Sequence, residues 1–278
     1  MPDVPFAGEI LGMEDATYHA QDWACGSTWL KTAIAASPYH ASAPMESKAD
    51  TALVVGTVLH AMVLEPDSVV RKFMQCPELD RRTKAGKATY EGLQATSALM
   101  GQTLVQAKEW DLASRMAKAI RSHGDAYGTL LECKLKEVSY FAEVRDGIWG
   151  KARIDAIALD GRIACDVKTV SCRVTDHELS QAARNWGWPI QCAWYNRVRE
   201  ACGLPPIGEW RFICVEKADP HAPRVVVMPD DAIEAAYGAI DVVLDDWHLG
   251  TNAGFSGIST LDIPSFYTDR LRRIGGGA

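Results

Sequence analysis

Two aspartates and a lysine lie close together between Ile148 and Val170, at a spacing that could support metal-assisted chemistry. The dipeptide Asp160-Gly161 is typical of a two-residue type I′ turn, which predicts an antiparallel hairpin around it. In the register set by that turn, Asp155 lies directly opposite Asp166. Because side chains alternate along a strand, both aspartates share a face with Lys168.

Carboxylates opposed across a hairpin repel each other, and a divalent cation between them would remove that repulsion. Oxygen ligands suit Mg²⁺, with Mn²⁺ as a possible substitute. Asp155 with the Asp-x-Lys motif at Asp166 and Lys168 therefore indicates metal-assisted hydrolysis of a phosphodiester. The alternative is a solvated hairpin face on which Arg153 and Lys168 neutralise the aspartates. The other face, from Ala152 to Val167, carries small apolar residues and predicts a covering helix.

Composition sets the outer bounds on structure and function. The chain has 278 residues, 47% of them hydrophobic, and a net charge of −7. That charge argues against a protein that coats DNA with its whole surface, but it permits a locally basic channel. No apolar run reaches the length of a bilayer span, and the N-terminus lacks a signal-peptide pattern. The cysteines form no C-x-x-C pair and no zinc spacing, so we expect free thiols in a reducing cytoplasm.

Positive charge is concentrated between Arg71 and Lys87, where six Lys or Arg residues accompany two acidic ones. Such a run is most often a solvated surface, but it could form part of a wall that contacts DNA phosphates. The candidate DNA contacts are Arg71, Arg81, Arg82, Lys84 and, on an earlier helix, Lys31.

Periodicity predicts a single domain. It has a helical part at about 18–130, a catalytic sheet with helices at about 131–250, and an irregular tail at 251–278. An irregular arm is expected before the first helix. The predicted helices cover about 27–36, 51–65, 90–123 (broken near Gly101), 175–185, 189–202 and 230–247, and the further strands about 136–144, 209–217 and 224–228.

Further side chains with chemical potential lie on these elements. His60 is the only titratable group in the middle of an apolar helix. The two alternatives for it are a core histidine and a ligand that completes a metal shell. Gln191 and Tyr195 are four residues apart on one helix face. The two alternatives for them are an ordinary surface pair and groups that contact phosphate or base. Glu137 is a further acidic candidate whose face the sequence leaves open.

Taken in order, these pieces resemble the PD-(D/E)XK nuclease superfamily. Within it they are most similar to the RecB-like branch and its RecE-type phage and prophage recombination exonucleases. The resemblance spans roughly Tyr18 to Met228, and Ile154 stands where the name-giving proline would be. The matching segments are GTVLHAMVLEP around His60, PELDRRTKAGK, KARIDAI with Asp155, CDVKT with Asp166 and Lys168, and QCAWY as Gln-x-x-x-Tyr.

The resemblance implies an α/β, restriction-endonuclease-like core in which a central mixed β-sheet with a catalytic antiparallel hairpin is flanked by α-helices. Lys168 would orient and help to deprotonate the attacking water, or stabilise charge in the transition state. Gln191 and Tyr195 would position the DNA strand. The ligands of one or two Mg²⁺ would be His60, Asp155, Asp166 and the carbonyl of Val167.

The activity implied is a Mg²⁺-dependent exonuclease that degrades linear double-stranded DNA from 5′ ends. It would leave 3′ overhangs for a single-strand annealing protein and would assemble as a ring-shaped trimer or tetramer. An endonuclease or single-strand nuclease of the same fold stays open, as does a catalytically inactive DNA-binding recombination partner. The presence of Asp155, Asp166 and Lys168 argues against the inactive form. The lack of clustered cysteines after Cys214 argues against the iron–sulfur branch of the superfamily.

Overall fold

The computed structural model describes residues 6–43 and 51–248, so the predicted tail at 251–278 lies outside the described residues. The strands are β1 (Gly8–Ile10), β2 (Phe73–Gln75), β3 (Thr103–Val105), β4 (Leu135–Arg145), β5 (Ile148–Ile157), β6 (Ile163–Val170), β7 (Glu209–Glu216) and β8 (Pro223–Val227). The α-helices are α1 (Asp15–His19), α2 (Ser27–Ala35), α3 (Pro38–Ala41), α4 (Thr51–Leu64), α5 (Val69–Lys72), α6 (Lys84–Leu99), α7 (Ala107–Ser122), α8 (Gly124–Glu132), α9 (Asp176–Asn185), α10 (Trp188–Ala201) and α11 (Asp230–His248).

A six-stranded mixed sheet forms the centre of the protein, in the order β1-β4-β5-β6-β7-β8. Its neighbouring strands are antiparallel except for β6 and β7, which run parallel. The strands β2 and β3 pair in parallel as a separate ribbon. The predicted fold class, a mixed α/β sheet flanked by helices, is confirmed.

Helices cover the sheet on two sides, with a separate hydrophobic cluster under each layer. One cluster joins β4 and β5 to α2, α10 and α11, and the other joins β6 and β7 to α4, α7 and α8. Helix α4 is apolar around most of its circumference because it lies between the sheet and α7, where Val58 and Leu59 are fully buried. Leu53 near its start is exposed.

Within the described residues, no single helix has the length and apolar composition to cross a membrane. The segments Leu53–Leu64 and Pro66–Lys72 pass that test only together, and the chain bends by 120° between them.

The prediction of an irregular N-terminal arm is wrong. Residues Gly8–Ile10 form β1 and pair with β4, and Asp15–His19 form α1. A three-residue strand is too short to show period-two alternation, so the exposed edge of β4 determines its conformation rather than its own sequence.

The turn of the central hairpin is longer than predicted. The N–H of Ala158 donates to the Ile163 carbonyl at 2.8 Å, which leaves a four-residue loop between them. Gly161 has a positive φ of 70° and Asp160 does not, whereas a type I′ turn requires positive φ at both residues. The Asp160 carboxylate instead accepts the backbone N–H of Arg162 at 3.0 Å, which stabilises the wider loop.

The predicted register of β5 against β6 is confirmed, because the loop is longer than predicted by one residue on each side. Only two residue pairs join β5 and β6 in the described chain, namely Ala156 with Cys165 and Ile157 with Ala164. Beyond them the two strands separate. The edge of β5 that β6 leaves free is taken by Cys25, whose N–H donates to the Trp149 carbonyl at 2.9 Å and whose carbonyl accepts from Lys151 at 2.8 Å.

Alternation along β5 is interrupted at the point where the strands separate. Ala152 and Ile154 pack in the cluster beneath α10, but Ala156 packs in the cluster beneath α4. The predicted single apolar face is therefore wrong. In β4, Glu137 lies opposite Asp155 and has a left-handed backbone, with φ of +50°, which breaks the regular pleat there.

We predict that Gly150→Ala is destabilising. A Cβ on Gly150 would lie 2.7 Å from the side chain of Trp194 and 2.8 Å from that of Val198, because α10 packs directly on β5. Overpacking of this kind costs about 1–3 kcal/mol, which urea denaturation would measure. Gly128→Ala in α8 is the matched control, since a Cβ there meets no neighbour within 4 Å. A helical alanine at that position should stabilise by about 0.5–1 kcal/mol. An unchanged midpoint for Gly150→Ala would contradict this packing.

Candidate active site

The opening between β5 and β6 is occupied by the side chain of Asp155. One of its oxygens accepts the backbone N–H of Val167 at 2.9 Å and lies 3.4 Å from Nδ1 of His60. Nε2 of His60 lies 2.6 Å from the Val167 carbonyl oxygen. Helix α4 thus places the imidazole over the opening, and three of the sequence-predicted ligands lie together.

The second aspartate reaches the opening from β6. Its Oδ1 accepts from Nζ of Lys168 at 2.6 Å and from Nε2 of Gln191 on α10 at 2.8 Å. The Asp166 side chain is only 4% exposed, and its buried Oδ2 has no hydrogen-bond partner among the described residues. A buried carboxylate oxygen without a partner is costly, and a bound cation would remove that cost. The site therefore fits a hard divalent cation.

Glu137 supplies an acidic group that sequence reasoning left undecided. Ligand atoms of His60, Glu137 and Asp155 all lie within 4.8 Å of one another, so these residues, called the ligand group below, could hold a metal ion. The Glu137 carboxylate accepts from Nε of Arg153 at 2.8 Å. Its left-handed backbone is strained for a residue with a side chain, and such strain concentrates at functional sites.

Negative charge dominates the electrostatics of the opening. Burial, followed by the charge of Asp166, raises the pKa of Asp155 to about 7. Burial also raises the pKa of Glu137. Burial on its own would lower the pKa of His60 and of Lys168, but the neighbouring aspartates outweigh it and raise both pKa values. Both groups are therefore held towards their cationic forms, as expected beside carboxylates.

Helix α10 brings the predicted Gln191 and Tyr195 to the site in different roles. Gln191 is buried, and its Oε1 accepts from Lys168 at 3.3 Å and from Lys31 at 3.2 Å while its Nε2 holds Asp166. Its amide is thus engaged with neighbouring side chains and positions them. Tyr195 is half-buried and lines the cavity beside the ligand group. Its contact with DNA stays a prediction.

The predicted basic residues divide into two sets. Lys31 is brought against Gln191, as described above. The remaining four are exposed and line neither of the two cavities beside Lys168. They are Arg71, Arg81, Arg82 and Lys84. The guanidinium of Arg81 lies over the ring of Tyr90 at 4.5 Å. Lys72 does line the cavity beside the ligand group, paired with Glu65 at 2.5 Å. DNA contact by the four exposed residues stays a prediction.

Comparison with known proteins places this geometry in context. A family profile described as a PDDEXK-like domain of unknown function (DUF3799) matches residues 27–248. The crystal structure of a protein from Eubacterium rectale named "Putative exonuclease" is similar with a TM-score of 0.59 and 14% sequence identity, over 97% of this chain and 100% of that chain. This likeness concerns the fold. The structure of SSO0001 has a TM-score of 0.27 at 13% identity, over 85% of this chain and 96% of that one, and supports no argument. No curated protein matches the sequence.

We predict that Asp155→Asn stabilises the metal-free protein at alkaline pH. The folded state favours protonated Asp155, so its contribution to stability is full below the ordinary pKa of 3.8 and is lost as the pH rises to about 7. An asparagine keeps an acceptor for the Val167 N–H without the charge. In EDTA at pH 8 the melting temperature should rise by at least ~2 °C, the shift produced by about 1 kcal/mol in a chain of this size.

At pH 4 the same substitution should change the melting temperature little. At pH 8 added Mg²⁺ should narrow the difference in melting temperature between the variant and the wild type, because it stabilises the wild type. Asp146→Asn, in an exposed turn, controls for the change of carboxylate to amide. A lower melting temperature for Asp155→Asn than for the wild type at pH 8 in EDTA would contradict the assigned environment.

Proposed function

This chain belongs to the PDDEXK-like family DUF3799, and on that basis we propose that it is a divalent-metal-dependent nuclease that hydrolyses phosphodiester bonds of DNA. The observation that carries the proposal is the buried carboxylate of Asp166, with one oxygen held by Lys168 and the other without a partner among the described residues. Asp166 is not a member of the ligand group, but it lies close enough for its charge to raise the pKa of Asp155 and of His60 in that group. Carboxylates, an imidazole and an ammonium in one opening suit metal-assisted attack on a phosphodiester.

The donor set identifies the groups that would hold the ion. They are His60, Glu137, Asp155, Asp166 and the carbonyl of Val167. A bound Mg²⁺ or Mn²⁺ would lower the pKa of its water and neutralise phosphate charge. Oxygen-rich ligands with one imidazole are compatible with either ion.

Lys168 is assigned to charge stabilisation. Its ammonium is fixed by Asp166 and Gln191, and the carboxylates around it raise its pKa despite burial. An ammonium fixed beside the candidate ligands is suited to stabilise negative charge that develops on phosphate oxygens. We therefore assign it the electrostatic role of the two that the resemblance implies.

Gln191 acts through its neighbours. Because one amide bonds to both Asp166 and Lys168, it keeps the carboxylate and the ammonium at a constant separation. The two ring nitrogens of His60 face Asp155 and the Val167 carbonyl, one group each, and a nitrogen that bound the ion would give up its contact with that group. Helices from both sides of the sheet therefore hold the opening in shape before substrate binds.

We extend the proposal to an exonuclease that acts on linear duplex DNA from its 5′ ends. The name of the Eubacterium rectale protein supports only the exonuclease part of this extension, and the linear duplex substrate and 5′ polarity rest on the RecE-like order of the motifs. The 3′ overhangs, a single-strand annealing partner and a trimeric or tetrameric ring rest on the resemblance, whereas a cytoplasmic location is proposed from the cysteine pattern. The eight cysteines are free thiols, which is compatible with a reducing compartment.

The first test concerns the chemistry. Asp166→Asn should abolish Mg²⁺-dependent cleavage of linear DNA and weaken Mn²⁺ binding at least about tenfold in calorimetric titration, since it removes a ligand charge. Lys168→Met should lower kcat by about 10²–10³-fold with a smaller change in DNA affinity. Lys118→Met, on the exposed side of α7, is the matched control for removal of a lysine. Cleavage by Asp166→Asn at the wild-type rate would remove Asp166 from the site.

A second test concerns the substrate. We expect the purified protein with Mg²⁺ to degrade linear duplex DNA and to leave closed circular duplex intact. Linear duplexes blocked at one 5′ end should be degraded only from the other end. Cleavage of circles at the same rate would indicate an endonuclease with the same chemistry. Inhibition by 3′ blocks instead would reverse the assigned polarity.

A further inference from the structure

A second cavity adjoins the candidate active site on the far side of Lys168. Each of the two cavities has a volume of about 660 Å³, and both are lined by Lys168 and Thr169. The first contains the ligand group. The second extends along the end of β6 towards α9 and the loop that joins α9 to α10. A molecule that reacts beside Lys168 can therefore occupy both cavities at once.

The charges of the two cavities differ in sign. Acidic side chains outnumber Lys and Arg around the first cavity, where five carboxylates face three such cations. The second is lined by Lys31, Lys168 and Lys217 against the single carboxylate of Glu178. The charge of Lys168 is paired with Asp166, so Lys31 and Lys217 are the two cations set against that carboxylate. In a chain with a net charge of −7, this cavity is a local site for an anion.

Trp186 contributes a flat apolar surface to the second cavity. The side chain is 71% exposed, and no ring or cation among the described residues packs against it. The nearby Trp188 differs, because it is buried and stacks on Phe212 at 4.8 Å with an interplanar angle of 9°. Burial accounts for Trp188 but leaves the position of Trp186 unexplained by packing.

The backbone holds the indole next to the lysines. Gly187 adopts a left-handed conformation with φ of +59°, and a Cβ there would lie 3.1 Å from the side chain of Lys31. The chain can therefore turn sharply from α9 into α10 with the Lys31 stem packed against it. Trp186 and Lys31 line the same cavity as a result, although the Lys31 ammonium is itself bonded to Gln191 Oε1 at 3.2 Å.

We propose that the second cavity binds unpaired nucleotides of the DNA strand being cut, with a base stacked on Trp186 and phosphates beside Lys31 and Lys217. The inference rests on the proposed nuclease function and identifies the conformation of its substrate. An exposed indole beside ammonium groups is the arrangement by which proteins bind single strands without sequence preference. A base can present its face to an indole only when it has left the duplex stack, so the strands separate at the end before cleavage.

Binding of a single strand in the absence of metal tests this assignment. The probe is a short DNA oligonucleotide that carries 2-aminopurine, titrated in EDTA with the full chain and followed by fluorescence quenching. Trp186→Ala should weaken binding by about 5- to 100-fold, the loss expected for one base-stacking contact. Trp186→Phe should retain most of the affinity. Tyr127→Ala, an exposed aromatic residue on α8, should bind as the wild type does.

Salt dependence tests the phosphate contact separately. Lys217→Met should reduce the slope of log affinity against log salt by about 0.7, the value for one single-strand phosphate contact. Equal binding by Trp186→Ala and the wild type, or an unchanged slope for Lys217→Met, would overturn the assignment of the second cavity while leaving the nuclease proposal intact. Failure of the wild type to cleave any DNA with Mg²⁺ would instead contradict the nuclease proposal, whatever the oligonucleotide does.

Discussion

The burial of two carboxylates in one opening is the constraint on which the rest of the site depends. Asp155 and Asp166 each lose hydration and repel the other, and the raised pKa of Asp155 reflects both effects. The structure compensates with nearby donors and cations. Asp155 has the Val167 N–H and the imidazole of His60, and Asp166 has an ammonium and an amide. One oxygen still lacks a partner among the described residues. Apolar groups in place of these carboxylates would serve stability better, whereas a cation site requires the carboxylates.

The separation of β5 and β6 makes this compensation possible. In a continuous ladder the Val167 N–H would bond to a backbone carbonyl, and here it is free to bond to a side chain. His60 arrives from the helical layer on one side of the sheet and Gln191 from the layer on the other. A regular pleat would keep those layers apart, so the opening is the place where groups from both can meet. The close packing of α10 at Gly150 brings Gln191 within reach.

Local charge, more than net charge, relates this acidic protein to an anionic substrate. The cavity with the ligand group is rich in carboxylates, as a cation site requires, and the adjoining cavity is rich in lysines. Lys168 belongs to both and forms the boundary between them. The basic segment that stands out in the sequence contributes Lys72 to the acidic cavity, whereas Arg71, Arg81, Arg82 and Lys84 lie exposed outside both cavities. Clustering along the chain therefore did not identify the positive surface nearest the candidate site.

The sequence by itself determined the mixed α/β class, the order of most helices and strands, the hairpin register, and the residue types Asp, Asp-x-Lys and His. These follow from short-range periodicity and from spacing within one element. It did not determine the turn type or the strand β1, which depend on neighbouring segments. The face of Glu137 was left open by the sequence because β4 has a bulge between Glu143 and Arg145 that shifts its pairing by one residue, and so places Glu137 rather than Val138 opposite Asp155. The meeting of His60 with Asp155, and of Gln191 with Asp166, was decided only by the packing of two helices around an opening in the sheet, since no local pattern encodes contacts between residues so far apart in the chain.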